Sequence, residues 1–513
     1  MNDEPIGPDL SHPDAAIRLA SAVHRFPCPE IGTEHQICFA NSFRTVGSHP
    51  TTRAVTSQAE SSRASLSEAL VGSSKGTTVS HKSIVRSAQK YLPFIHQILL
   101  TCKVQPEAAR LDERLFFEWS SGVEKSKTLF KSEALMFEMV MTIACEGMGL
   151  AGDACDESTN GNFAASSRGF KQASGVMEFL AEDQLPKWIA RGSNVEDKDL
   201  PSEVTVGVCE AFKVLFLAIA QQMAVATVLV KPGTPNWGLL AKLCLGVAEQ
   251  LELFTSNMRS KASNQMPKID PNFFTLVTFQ VNIQRGLSLY FQSRNIWDSN
   301  SGYGLAICLL NEASSYLQTR DSPTSRGLPD VGPKSVLRAL SSDVTDMRGH
   351  MRLLLKSWEK DNSLVYFDKV PQSIPEGEKL KSGIMMMKPE HYELKEVEPV
   401  PLSLPGANSS PPPPNSGAGQ TEQEMSDEEF ARQLQNKLNT DSSHIPKSSP
   451  KSASNVMSSP PKPSVSAMSG PPRPVPSIMS SPPKPKTSLA SSDKSDEDLA
   501  RELQAKLNRG DDC

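Results

Sequence analysis

The stretch Leu243-Cys-Leu-Gly-Val-Ala-Glu-Gln-Leu-Glu-Leu-Phe254 decides the class of fold. Its apolar residues recur at steps of four, four and three, which is the spacing of one face of an α-helix. Similar blocks follow one another from Ser83 to about Trp358, and prolines and glycines separate them. Alternating runs of the kind that form strands are almost absent, and no fixed-period repeat is present in residues 83–360. The sequence therefore predicts an all-α array of long helices, with a small irregular or β element near its N-terminus.

Composition divides the 513 residues into three parts. The segment 406–513 holds 16 of the 39 prolines and a single aromatic residue, Phe430, so it cannot bury a core. We therefore expect a flexible N-terminus over residues 1–34, a helical domain over 35–405 and a disordered Pro/Ser-rich tail over 406–513. The net charge of −5 does not favour nucleic acid as a partner, because its binders carry a basic surplus.

Cysteine usage and hydropathy indicate a cytosolic chain. The nine cysteines are scattered, none at CxxC spacing, as expected of reduced thiols in an apolar interior. The longest apolar stretch, Val214–Val230, has 17 residues with Gln221 and Gln222 at its centre, whereas a membrane span needs about 20. It predicts a buried core helix. The N-terminus has no basic and apolar regions of a signal peptide.

The sequence offers no set of catalytic or metal-binding residues. Gly147-Met-Gly-Leu-Ala-Gly152 fits the GxGxxG pattern of a dinucleotide loop, but such a loop must lie between a strand and a helix. The residues before it have helical spacing, and Asp153 and Asp156 would repel phosphate. We expect no enzyme activity, cofactor or metal. A nucleotide-dependent enzyme that uses Gly147–Gly152 remains the alternative from another class.

The tail contains one motif twice. Ser426–Asn439 and Ser495–Asn508 are identical at ten of 14 positions, and each combines an acidic start with apolar residues four apart. Each predicts a short amphipathic helix that forms on docking to a partner, either ubiquitin or a helix-binding domain, and two copies would give avidity. The apolar residues are Phe430, Leu434 and Leu438 in the first copy and Leu499, Leu503 and Leu507 in the second.

The segment between the two copies is rich in Ser, Pro and Lys. Ser459-Pro-Pro-Lys and Ser481-Pro-Pro-Lys fit sites of proline-directed kinases, and the prolines suit SH3 or WW domains. A solvated spacer is an equally good interpretation.

The segment Asp361-Asn-Ser-Leu-Val-Tyr-Phe-Asp-Lys-Val-Pro371 is followed by a proline-interrupted stretch that ends near Pro401. This predicts an extended strap packed along the helices. The segment resembles the "Asn-Asp-x-Ile-Tyr…Val-Pro" strap of BRO domains, with Ser363 and Val365 in place of Asp and Ile. Five further blocks resemble the same family in the same order, so that the likeness covers roughly 35–405. They begin at Phe117, Phe170, Lys213, Leu239 and Asn282.

The resemblance implies a curved, TPR-like helical solenoid that acts as an adaptor in the ESCRT pathway. An apolar patch of this family binds the C-terminal helix of an ESCRT-III subunit, and its positions fall here on Leu215, Leu239 and Leu243. The polar pair that flanks the patch falls on Asn160 and Ala164, which is a departure from the family. We therefore expect a cytoplasmic, endosome-associated protein that is at most peripheral to membranes.

Two alternatives concern the branch and the partner. The chain looks most like the Brox branch, whose members end in a prenylation box, but this sequence ends in Asp-Asp-Cys513, so farnesylation is not expected. A signalling scaffold that has the BRO fold but lacks ESCRT-III binding is the second candidate function.

Overall fold

A computed structural model of the chain describes residues 13–32, 37–39, 50–74, 80–104, 115–189, 196–320, 327–328 and 340–400. Most of these residues are helical. The helices are α1 (Asp14–Ala20), α2 (Pro50–Ser74), α3 (His81–Val104), α4 (Leu135–Thr159), α5 (Phe163–Phe179), α6 (Leu185–Ile189), α7 (Val206–Leu229), α8 (Trp237–Lys261), α9 (Pro271–Asp298), α10 (Tyr303–Tyr316) and α11 (Leu340–Asp361), with strands β1 (Phe117–Ser120) and β2 (Leu129–Ser132) between α3 and α4.

The long helices pack in sequence order, each mainly against its neighbours in the chain. Contacts run from α2 to α3, α4 and α5, then to α7, α8, α9, α10 and α11. Buried hydroxyls join neighbours at points of close approach: Ser167 donates to the carbonyl of Ala220 at 2.8 Å, and Ser288 donates to that of Ala241 at 2.7 Å. The predicted all-α solenoid is confirmed.

Two helices, α4 and α7, form the centre of the core. Both are long and apolar enough to cross a membrane, but 94% and 78% of their most apolar windows are buried within the protein. The two glutamines in the middle of α7 are also buried, and both have hydrogen-bond partners, as buried amides require. Gln222 donates to the carbonyl of Ala20 at 3.3 Å. The prediction that Val214–Val230 is a core helix is therefore confirmed.

The N-terminal region differs from the prediction. Residues 1–34 were expected to be flexible, but the described part, 13–32, is packed onto the helices. Leu19 of α1 is fully buried, and Arg18 pairs with Asp343 of α11 at 2.6 Å. Phe26 stacks edge-on against Phe216 of α7, 5.1 Å between ring centroids. These contacts join α1 to helices far along the chain, so local sequence does not reveal them.

The β element of the fold is a two-stranded antiparallel hairpin, β1 and β2. It is anchored by a buried carboxylate on α4. Glu138 accepts hydrogen bonds from Trp119 at 2.6 Å, from Tyr91 at 3.1 Å and from Arg63 at 2.7 Å. This single buried charge therefore has one cationic and two neutral donors, which offset its desolvation, and it ties α2, α3 and β1 to α4.

Residues 367–400, the strap, run across the array in an extended course that is interrupted only by a 3-10 turn at Glu376–Glu378. Asn362 fixes the start of the strap, because its side chain exchanges two hydrogen bonds with the backbone of Asp368. The strap then contacts α10, α9, α8, α7, α5, α4 and α3 in turn. At its end the Val400 amide donates to the Thr101 hydroxyl of α3 at 2.9 Å. The strap predicted from sequence is confirmed.

Candidate partner-helix site

The three leucines predicted to bind a partner helix lie inside the protein. Leu215 on α7 is 2% exposed, and Leu239 and Leu243 on α8 are 7% and 0% exposed. They belong to the main core cluster, so they do not form an open groove. The prediction fails at this point because apolar residues at i and i+4 look the same whether a helix or a partner covers them.

The strap crosses α7 and α8 close to Leu243, and a buried amide holds it there. Gln221 Nε2 donates to the carbonyl of Leu243 at 2.9 Å and to that of Ile384 at 2.7 Å. Gln221 Oε1 accepts from the amide of Met386 at 2.8 Å. The Gln221 side chain thus pairs with the backbone of the strap at Ile384 and Met386, as a neighbouring strand would, and it fixes which strap residues lie over α7.

A glycine pair allows the strap to lie directly on α8. The amide of Ile384 donates to the carbonyl of Lys242 at 3.0 Å. A side chain at Gly246 would overlap the carbonyl of Ile384, and one at Gly383 would overlap the backbone of Gly246. The Glu249 carboxylate accepts a hydrogen bond from the Gly383 amide at 3.1 Å. The strap backbone therefore makes several hydrogen bonds here, and the side chains of Ile384, Met385 and Met386 are half-buried against the core.

We call the half-buried apolar residues of the strap and of α7 and α8 at this crossing the methionine patch. It consists of Ile384, Met385 and Met386 on the strap with Leu217 of α7 and Leu245 of α8, all half-buried. The next strap residue, Met387, is buried and lies 4.0 Å from the hydroxyl of Ser167. Methionine side chains are flexible and polarizable, which suits a surface that must adapt to an apolar partner. The patch therefore consists of residues other than the three predicted leucines, which are buried in the core.

The sequence carries one signal of this patch that the predictions above do not use. The run Ile384-Met-Met-Met387 is an apolar stretch inside a segment expected to be extended and largely exposed. Such a run needs a binding or packing role.

Two lysines lie on the segments that carry the methionine patch, and the flanking positions of the resemblance lie at the start of α5, the helix that Met387 contacts. Asn160 and Ala164, where the flanking pair of the resemblance falls, are both exposed at the junction of α4 and α5. Ala164 precedes Ser167, the contact of Met387, by three residues, which places both on one face of α5. Lys388 follows Met387 on the strap and is exposed, and Lys242 of α8, whose carbonyl accepts from the Ile384 amide, is half-buried. An apolar strip with lysines at its edge suits an apolar helix with acidic residues beside its stripe.

The glycines of Gly147–Gly152 are not a loop. They lie within α4, where the backbone amides are used by the helix, and they allow neighbouring side chains to approach. An added side chain at Gly149 would meet Val85, and one at Gly152 would overlap His81. A phosphate site needs unpaired amides at a helix N-terminus, so the alternative of a dinucleotide loop is wrong.

Several predicted residues lie outside the described part of the chain. They are Phe430, Leu434, Leu438, Leu499, Leu503, Leu507, Ser459 and Ser481, and the roles assigned to them remain predictions. Within the described ranges, no three His, Cys, Asp or Glu side chains come together as metal ligands would.

A strap held across consecutive helices of a solenoid is the architecture that the described residues define. The model of the BRO1-like domain family matches residues 56–405. The chain therefore belongs to the BRO1-like domain family. Comparison with curated proteins finds no match.

Solved structures support the same fold. The BRO1 domain of ALIX in complex with CHMP4C is 14% identical, with a TM-score of 0.53 over 72% of this chain and 96% of that one. A Bro1 domain described as a basis for endosomal targeting is 16% identical, with a TM-score of 0.54 over 72% and 93%. ALIX in complex with the SIVmac239 late domain is 13% identical, with a TM-score of 0.53 over 73% and 49%.

Proposed function

We propose that the chain is a non-enzymatic adaptor that binds the C-terminal amphipathic helix of an ESCRT-III subunit. The observation that carries the proposal is the methionine patch, a half-buried apolar surface on a strap whose backbone is hydrogen-bonded at Gln221 and Lys242. The solved complex of the ALIX BRO1 domain with CHMP4C supports the choice of partner.

The energetics favour a rigid platform with weak to moderate affinity. Burial of a whole methionine side chain contributes about 1.5–3 kcal/mol, and Met385 and Met386 are already partly covered. Covering the rest of both contributes about 1–3 kcal/mol in total. Because the strap is ordered before the partner arrives, little of this gain is spent on ordering the domain. Additional affinity must come from the lysines beside the patch and from Leu217 and Leu245.

The tail extends this role to further partners. In this proposal residues 35–405 form the ESCRT-III-binding domain, and the two motifs, 426–439 and 495–508, bind ubiquitin or a helix-binding domain as a pair. The Pro-rich segment between them carries SH3 or WW ligands and the phosphorylation sites Ser459 and Ser481. The protein acts in the cytoplasm at endosomal membranes, where ESCRT-III assembles.

A binding panel tests this function directly. The full chain is titrated against fluorescent peptides that carry the C-terminal helix of each ESCRT-III subunit, with a sequence-scrambled peptide of the same charge as the control. We expect saturable binding of at least one helix and none of the scrambled peptide. If no helix binds better than its scrambled control, the ESCRT-III role is wrong and a signalling scaffold with this fold becomes the better interpretation.

A further inference from the structure

Exposed apolar side chains are concentrated where α11 passes into the strap. Eleven large apolar residues are exposed across the described ranges, and five of them lie within residues 364–370. They are Leu364, Val365, Tyr366, Phe367 and Val370, and Phe367 is 76% exposed. Single exposed apolar residues are normal on a protein surface, but a contiguous group marks a site of interaction with a protein or a membrane.

The backbone holds this segment in a fixed geometry. Residues Asn362–Tyr366 form one turn of π-helix, and Phe367 has the left-handed conformation, with φ 55° and ψ 29°. The Phe367 amide donates to the carbonyl of Asn362 at 2.7 Å. Tyr366 stacks on Tyr303 of α10, with 3.5 Å between the ring centroids. A left-handed conformation is unfavourable for a bulky residue, and residues strained in this way cluster at functional sites.

Basic residues follow one side of α11 up to this apolar segment. Four of them recur at steps of four residues, so each lies beside the next on the helix surface. They are Arg348, Arg352, Lys356 and Lys360. The last three are exposed, and none of these three pairs with an acidic side chain in the described part of the chain. The stripe extends over about 18 Å of helix.

The acidic residues nearby do not neutralise this stripe. From Arg348 to Lys369 the chain has five basic and three acidic residues, a local charge of +2 in a chain whose net charge is −5. One of the three, Asp368, accepts a hydrogen bond from the Gly304 amide at 2.9 Å. The surface of α11 is therefore positive in a protein that is negative as a whole.

We propose that the basic stripe of α11 and residues 364–370 together bind a bilayer that contains anionic phospholipid. Clusters of about four to eight basic residues on a helix attract anionic headgroups, and apolar side chains beside them enter the boundary between headgroups and acyl chains. Phe367 protrudes instead of lining a groove, which suits a fluid bilayer better than a folded acidic protein. This surface shares no residue with the methionine patch, and the inference does not depend on ESCRT-III binding.

Titration of the full chain with lipid vesicles, read by flotation, tests the proposal. One set of vesicles contains only phosphatidylcholine, and the other contains phosphatidylcholine with about one third phosphatidylserine. We expect the chain to float with the second set alone. High salt should release it, because screening weakens the attraction between the stripe and the headgroups.

Two variants separate the charge of α11 from insertion of the apolar segment. Lys356→Glu with Lys360→Glu should weaken binding at least about 25-fold, because each basic residue at an anionic surface contributes roughly a fivefold gain in affinity. Phe367→Asn should weaken binding about tenfold or more, because it removes an inserted aromatic side chain. Asparagine tolerates the left-handed conformation, so this variant keeps the fold.

The matched control for charge lies on α3. Arg86→Glu with Lys90→Glu also reverses two exposed cations four residues apart, and this variant should bind vesicles like the wild type. An equal loss of binding in this control would mean that the net charge of the chain, and not α11, governs binding. Unchanged binding of Phe367→Asn would mean that the apolar segment does not enter the bilayer.

A soluble polyanion distinguishes a bilayer from an acidic protein as the partner. If the chain does not float with phosphatidylserine vesicles, the proposal is wrong. If polyglutamate then binds the chain, and Lys356→Glu with Lys360→Glu removes that binding, the surface serves an acidic protein instead.

Discussion

Gly175 of α5 provides a sharp test of how the strap is held. The strap passes so close to this glycine that an added Cβ would overlap the carbonyl oxygen of Glu390, while the Glu390 amide donates to the carbonyl of Lys171 at 3.1 Å. The obstacle is backbone rather than a flexible side chain. We therefore expect Gly175→Ala to displace the strap locally, whereas a clash with a side chain could be relieved by a change of rotamer.

The expected cost can be worked out from three contributions. Overpacking of a well-packed site costs about 1–3 kcal/mol, and loss of the Glu390–Lys171 hydrogen bond adds about 1 kcal/mol. Replacing a helical glycine with alanine returns about 1 kcal/mol. The net loss in the free energy of unfolding is therefore about 1–3 kcal/mol.

Gly349→Ala on α11 is the matched control, because an added Cβ there meets nothing within 4 Å. The two variants should move in opposite directions in urea unfolding, with Gly349→Ala more stable than the wild type by about 1 kcal/mol. Hydrogen exchange should speed up at Glu390 only in Gly175→Ala. If Gly175→Ala is as stable as Gly349→Ala and exchange at Glu390 is unchanged, the strap does not lie on α5 as described.

Three further expectations concern the core, pH and the tail. Leu243→Asp should unfold the domain rather than weaken binding alone, because an uncompensated buried charge costs several kcal/mol. A circular dichroism spectrum of a folded variant would contradict the burial of Leu243. Burial raises the pKa of Glu203 to about 7 despite hydrogen bonds from Ser121 and Gly122. The folded state therefore keeps this proton to higher pH than the unfolded state. The free energy of unfolding should fall as pH rises from about 4.5 to about 7, by up to about 3 kcal/mol. Urea unfolding at several pH values should show a smaller fall in Glu203→Gln than in the wild type. The same fall in both proteins would refute the contribution of Glu203 to this pH dependence. In the tail, Phe430→Ala or Leu503→Ala should each weaken binding strongly for a multivalent partner and little for a monomeric one. If titrations show the same loss of affinity for the multivalent and the monomeric partner, the two motifs do not act as a pair.

The sequence predicts the helices and the strap well, for physical reasons that differ. Helical spacing is a local property, so blocks such as Leu243–Phe254 identify their helices without knowledge of their neighbours. The strap is predicted by its prolines and by the motif at Asp361–Pro371. Asn362, within that motif, fixes the chain at Asp368.

The binding surface could not be predicted to the same degree. Whether Leu243 is core or surface depends on which segment crosses it, and that segment comes about 140 residues later in the chain. The packing of α1 also depends on distant partners, such as Asp343. The role of Gln221 shows the same limit, because an amide inside an apolar helix gives no sign that it holds the strap at Met386.

The most direct test of the central claim is a titration of one ESCRT-III C-terminal helix against three proteins: the wild type, Met386→Asp and Leu353→Asp. Leu353 on α11 is 54% exposed, so it provides the same substitution at an apolar surface position outside the patch. We expect Met386→Asp to weaken binding at least tenfold, which corresponds to about 1.4 kcal/mol, and Leu353→Asp to bind like the wild type. Equal affinity of all three proteins would show that the helix does not bind at the methionine patch.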